Sequence, residues 1–198
     1  MRNYKRIDSY LNILIGEIYE QPEDTGHTGM SQEVIDKWIP LMPDCKSVLD
    51  VGCGTGFCQP MFEKYGVSYE GICLGEDYSV AIANGKNVKL MDFSFLEYKD
   101  ESFDLIFSRH SLEHSPMPVL TLMEWYRVSK QWCCVVLPAP EHYTYIGANH
   151  YSVMPRDLAR EVFKHAGWKV VWEDLKTITY ADERVIPYEY HFMLEKIR

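Results

Sequence analysis

The residues with chemical potential begin at a glycine-rich turn. In Val48-Leu49-Asp50-Val51-Gly52-Cys53-Gly54-Thr55-Gly56 an apolar strand runs directly into three alternating glycines and then into a helix. A glycine just after a strand takes positive φ and turns sharply. The next lets a ligand approach the backbone without meeting a Cβ, and the last lets the helix pack close to the strand. Unpaired amides at a helix start suit an anionic group. The spacing disfavours a nicotinamide oxidoreductase, because Gly-x-Gly-x-x-Gly requires glycine at 57, where this chain has Phe57. No Gly-Lys-Ser or Gly-Lys-Thr closes a phosphate loop.

The six cysteines are Cys45, Cys53, Cys58, Cys73, Cys133 and Cys134. They form no Cys-x-x-Cys pair, so reduced, buried thiols are expected rather than a zinc site or a disulfide framework. Vicinal Cys133 and Cys134 fall in an apolar strand and should face opposite sides of it. The 198 residues carry 20 Lys plus Arg against 29 Asp plus Glu, a net charge of −9, which argues against a general nucleic-acid or anionic-membrane binder. No stretch approaches the ~20 apolar residues of a membrane span, and the first residues lack the pattern of a targeting signal, so a cytoplasmic protein is expected.

The elements that must hold the glycine turn alternate. Residues 1–44 read as a helical lead-in, with a helix over 4–19, a loop at Gly26-His27-Thr28-Gly29, and a second helix capped by Ser31 and ended by Pro40 and Pro43. From residue 45 strands are expected at 47–51, 67–74, 87–91, 103–108, 132–137, 168–175 and 188–196. Helices are expected at 57–65, 77–84, 118–128 and 155–165. Such alternation implies an α/β fold, with a mostly parallel sheet covered on both faces. No repeat or linker divides the chain, so one domain is expected over 1–198, with its core at 45–198.

"VLDVGCGTG" and "FDLIFSRHSLEH", at 103–114, resemble the first and fourth-strand motifs of the class I S-adenosylmethionine-dependent methyltransferases, in the small-molecule group often called type 11. "GICLGEDYSVA" and "LMDFSFLEY" fall where strands two and three end. The resemblance covers about residues 45–175. It implies a Rossmann-like three-layer sandwich with a seven-stranded sheet whose last strand is antiparallel. It also implies S-adenosyl-L-methionine as cofactor, S-adenosyl-L-homocysteine as product, and methyl transfer to an oxygen or nitrogen of a small molecule. In that reading Asp50 and the backbone of Gly52, Cys53, Gly54 and Gly56 hold the methionyl end, a carboxylate being suited to its α-ammonium. Leu74 lies against the adenine, Asp92 accepts from the adenine amino group, and Phe93 adds an N–H or ring contact. Ser108, Arg109 and His110 line the wall by the sulfonium.

One departure concerns the ribose. Relatives place Asp or Glu at the end of strand two, and this chain has Cys73, a poor substitute for a bidentate carboxylate. Glu76 and Asp77 are the nearby alternatives. That departure also feeds a second reading, a non-catalytic module that binds the cofactor or a partner on the same fold. Lys130-Gln131-Trp132, where many relatives turn on Pro-Gly-Gly, is a structural difference.

A general base, where the acceptor needs one, should come from the loops after strands four and five. These offer His110, Glu113 and His114, then Glu141, His142, Tyr143, Tyr145 and His150, with His110 and His150 preferred as imidazoles near neutral pKa. Glu141, His142 and His150 lack a standard ligand spacing, so no metal is expected. The 138–154 stretch, with Tyr151, is long enough to be a lid, and His27 sits between Gly26 and Gly29, which are hinge candidates for the N-terminal helices. Nucleic-acid substrates are not expected, since neither a Pro-Pro-aromatic motif after strand four nor a Pro-Cys nucleophile is present.

Overall fold

The computed structural model describes residues 5–15, 25–142 and 149–197. Helices α1 (Lys5–Ile15) and α2 (Thr25–Trp38) come first, and Pro40 turns the end of α2 into a short 3₁₀ segment, Ile39–Leu41. The alternating part follows as β1 (Ser47–Val51), α3 (Gln59–Glu63), β2 (Ser68–Cys73), α4 (Glu76–Ala83), β3 (Val88–Leu90), β4 (Phe103–Arg109), α5 (Pro118–Val128), β5 (Ser129–Pro138), α6 (Arg156–His165), β6 (Trp168–Thr179) and β7 (Val185–Lys196). The sheet has the order β3-β2-β1-β4-β5-β7-β6. The pairs from β3 across to β5 are parallel, while β7 is antiparallel to both β5 and β6.

Strand periodicity divides the core into two layers. Val48, Phe107 and Cys134 point to the face covered by α2, α3 and α4, where Val34, Ile35, Trp38, Phe62 and Ala81 pack. Their neighbours Leu49, Ile106 and Cys133 point to the other face, covered by Leu122 and Trp125 of α5 and Phe163 of α6. The two vicinal cysteines therefore face opposite sides, as a two-residue period requires. All six cysteines are buried, free thiols.

Three local expectations change. The loop at 26–29 is helix: α2 begins at Thr25, and Ser31 is buried inside it rather than capping it. A glycine inside a helix costs ~1 kcal/mol, which the burial of Val34, Ile35 and Trp38 outweighs. The helix at 57–65 contracts to Gln59–Glu63, with Pro60 in its first turn. The last two strands are longer than periodicity suggested. They form a hairpin closed by Tyr180 N–H to Arg184 O at 2.9 Å, whose outer, exposed part carries no apolar alternation. Residues 16–19 of the expected first helix, with Tyr143 and Tyr145, lie outside the described residues.

Candidate functional site

The sheet order reverses at β1. The chain moves outward to β2 and β3, then returns to β4 on the other side, which opens a crevice at the carboxyl ends of the strands. A cavity of about 370 Å³ occupies it, within the range of small-molecule sites. Its wall includes Leu11 and Leu14 of α1, so the N-terminal helix contributes to the site.

One end of the cavity is built on β1, β2 and β3. Asp50, at the second-last position of β1, is buried and accepts a hydrogen bond from Tyr69 Oη at 2.8 Å. Burial pushes its carboxyl up to about 7 despite that bond. Gly52 turns the chain at φ +71°, and a Cβ there would lie 2.7 Å from Ser111 Cβ. The amides of Gly52 and Cys53 both donate to Ile72 O, at 2.9 and 3.0 Å, and that of Gly56 donates to Cys53 O at 3.0 Å. These bonds pin the turn to β2; Gly54, on the cavity wall, donates its amide to no backbone carbonyl among the described residues and is suited to a ligand. Gly56 is off the cavity wall: it packs on Lys86 and Val88, which is the close helix–sheet approach expected of the third glycine.

Cys73 and Leu74 follow on the wall, with Asp77 from the first turn of α4; Glu76 is not on it. The Cys53 thiol is raised by a hydrogen bond with Cys73 and by burial. Beyond β3, Asp92 accepts Ser94 N–H at 2.8 Å, and Phe93 is fixed by its carbonyl, which accepts Trp125 Nε1–H at 2.9 Å. Met91, Asp92 and Phe93 all reach the cavity.

The other end is polar and rests on β4, β5 and β7. Arg109 and His110 face Glu189 of β7, which is fully buried. Arg109 Nη2 pairs with Glu189 Oε1, His110 Nε2 bonds the same oxygen at 2.8 Å, and His191 Nε2 bonds Oε2 at 3.0 Å. Burial would raise the Glu189 carboxyl, but the hydrogen bonds from His110 and His191 and the Arg109 charge hold it well below the ordinary range. His110 sits at φ +51°, an uncommon backbone state for a residue with a side chain. Burial lowers its pKa, so the ring is neutral at pH 7. With Nε2–H directed at a carboxylate, its lone pair is on Nδ1, which lies 3.9 Å from Glu113 Oε1.

Glu113 is 1 % exposed, and among the described residues neither of its carboxylate oxygens has a hydrogen-bond partner. Burial pushes its carboxyl up to about 8. His114 donates Nδ1–H to Asn149 O at 3.0 Å, and burial lowers it to about 4. Its ring stacks edgewise on that of His150, with centroids 4.7 Å apart. Ser108 is buried off the wall, while Arg109, His110, Glu113, His114, His150 and Tyr151 are on it. Glu141 and His142 are not: Glu141 accepts from Tyr190 Oη, and His142 meets Tyr180 Oη at 3.1 Å. Glu189 had no sequence signal, since it meets Arg109 only through the pairing of β5 with β7.

Together the reversed sheet order, the glycine turn and the antiparallel last strand give the chain the Rossmann-like fold of the class I S-adenosylmethionine-dependent methyltransferases. Residues 49–136 match the family model described as a methyltransferase domain. The chain is 40% identical over 96 residues to malonyl-[acyl-carrier protein] O-methyltransferase 1 of Coxiella burnetii, covering 47% of this chain and 32% of that protein. It is 30% identical over 107 residues to norajmaline N-methyltransferase of Rauvolfia serpentina, covering 49% and 37%. The chain thus spans about a third of the length of these curated relatives. A SAM-dependent methyltransferase from Archaeoglobus fulgidus superposes with a TM-score of 0.69 at 18% identity, over 85% of this chain and 94% of that one, which shows the shared fold.

S-adenosylmethionine is the cofactor of this class, and the cavity fits it. Asp50 offers a buried carboxylate to an ammonium, Gly54 an approachable backbone, and Leu74, Met91 and Phe93 apolar surface to a purine.

Proposed function

We propose that the chain transfers the methyl group of S-adenosylmethionine to an oxygen or nitrogen of a small molecule, held against the wall formed by His110, Glu113 and His150. The observation that carries this reading is His110. It is a neutral imidazole on the cavity wall, oriented by the buried Glu189 carboxylate at 2.8 Å. A base needs a lone pair and a partner that fixes its tautomer, and His110 has both. Asp50 and Gly54 hold the methionyl end, and Asp92 accepts from the adenine amino group. Asp77 takes the ribose hydroxyls, in place of the carboxylate that Cys73 replaces.

The cofactor supplies an electrophilic methyl carbon when bound. The protein's part is to align the acceptor with it and to remove the acceptor's proton. His110 receives that proton on Nδ1, and Glu189 stabilises the imidazolium that results. Leu11, Leu14 and Tyr151 shield the exchange from water. His150 stands as the second imidazole on the acceptor side.

Titration with S-adenosylhomocysteine, followed by a radiolabelled-methyl screen of extract fractions, tests the reading. His110→Ala should keep cofactor affinity and lose most turnover; full turnover would remove His110 as base. Asp92→Ala should weaken S-adenosylhomocysteine about five-fold, the loss of one hydrogen bond worth ~1 kcal/mol. An unchanged Kd would count against the adenine contact.

Asp50 makes cofactor affinity pH-dependent. An ammonium needs the ionised carboxylate, and in the free protein that carboxyl titrates at about 7. Binding should therefore be strong at pH 8 and weaken up to ten-fold for each pH unit below 7, the proton competing with the ligand. Asp50→Asn should bind weakly at every pH with a flat profile. A flat wild-type profile would exclude the Asp50–ammonium pair.

A further inference from the structure

We propose that Glu113, His114 and His150 bind one divalent transition-metal cation at the acceptor end of the cavity. The three residues each present a donor atom, and these atoms lie within 4.8 Å of one another. The set comprises two imidazoles and a carboxylate, which suits zinc, cobalt or manganese and not magnesium, whose preference is for oxygen ligands.

The buried carboxylate is the independent observation. Glu113 is 1 % exposed, faces the cavity, and among the described residues has no hydrogen-bond partner for either oxygen. A buried acceptor without a partner costs free energy, and Arg109, the cation next along the chain, pairs with Glu189 instead. A metal ion supplies what both oxygens lack. His114 is prepared in the way metal-bound histidines are. It gives Nδ1–H to the Asn149 carbonyl at 3.0 Å, which places the lone pair on Nε2 and fixes the ring. His150 lies one residue beyond Asn149, so the same stretch that fixes one imidazole delivers the other. Bonds of ~2.1 Å to a tetrahedral ion put donors about 3.4 Å apart, so the three side chains need only draw together slightly.

Three protein ligands leave positions open toward the cavity. In the transfer, which rests on the methyltransferase reading above, an acceptor hydroxyl occupies one of them. Its O–H bond breaks, with the proton going to His110. The oxygen pair then forms the new C–O bond as the methyl C–S bond breaks, and sulfur keeps that pair as a thioether. The cation is unchanged and lowers the pKa of the hydroxyl, which eases loss of its proton. The substrate class this selects is an alcohol or phenol, rather than an amine.

The experiment is titration of the chelator-treated protein with Zn²⁺ and Co²⁺, followed by calorimetry and by the visible absorption of bound Co²⁺. One equivalent per chain is expected. Affinity should fall at least ten-fold in His114→Ala and in His150→Ala, and hold in His165→Ala on the exposed end of α6. Glu113→Gln, which keeps the buried shape, should weaken the ion and change the Co²⁺ spectrum. Absence of stoichiometric binding, or equal binding by all variants, would overturn the proposal. S-adenosylhomocysteine affinity, measured on the same samples, reports separately on the methyltransferase reading and should be retained in His150→Ala.

Discussion

Gly54→Val is expected to abolish S-adenosylhomocysteine binding, raising Kd by about 100-fold or more, equivalent to about 2.8 kcal/mol. Gly54 lies on the cavity wall at φ +55°. The amides of Gly52 and Cys53 are committed to Ile72 and that of Gly56 to Cys53, while Gly54 offers a ligand bare backbone on the wall. A branched side chain there fills the approach. It also strains a left-handed residue, at a cost of ~1–2 kcal/mol, so some loss of thermal stability accompanies the loss of binding. Gly52→Ala separates the two effects. Its Cβ would meet Ser111, not the ligand, so it should lower the melting temperature more than Gly54→Ala does. Calorimetric titration and thermal unfolding of the three variants measure both quantities. Wild-type affinity in Gly54→Val would place the cofactor elsewhere.

The parts of this site that sequence could reveal are those built by neighbours in the chain. Asp50 to Gly56 is one strand and one turn, so the residue types themselves report the geometry: the first glycine turns the chain and the third meets Lys86 and Val88. The alternation of Cys133 and Cys134 is legible for the same reason. What sequence concealed comes from distant segments. Glu189 meets Arg109 and His110 because β7 inserts antiparallel beside β5, and nothing within the 185–196 strand marks one of its acids as buried. The adjacency of Glu113 and His114 was visible, but their convergence on His150 depends on the path of the chain after β5. The helical start of α2 was hidden by its glycines, which local propensity counts against a helix and tertiary packing overrides. Asp77 gained its place over Glu76 through the direction in which α4 presents its first turn.

Glu189→Ala is expected to cost about 3–5 kcal/mol of stability, the range seen when one partner of a buried ion pair is removed. The Arg109 side chain is 4% exposed and, among the described residues, its carboxylate partner is Glu189, so truncation leaves a buried guanidinium uncompensated. Two imidazoles lose their acceptor as well. Glu189→Gln keeps the volume and removes only the charge, and pH then tells charge from packing. The folded-state carboxyl lies well below its ordinary 4.5. Its ionic contribution is therefore fully present above that value and is lost as pH falls through the folded-state pKa. The difference in urea midpoint between wild type and Glu189→Gln should be large at pH 7 and shrink in acid below about 4.5. A gap that stays constant would make Glu189 a packing residue. A gap that closes identifies an ionic network, in which the carboxylate that stabilises the sheet is also the one that orients His110. In that case Glu189→Gln should lose turnover at pH 7 while keeping its Kd for S-adenosylhomocysteine, because the charge serves the acceptor end of the cavity and not the Asp50 end.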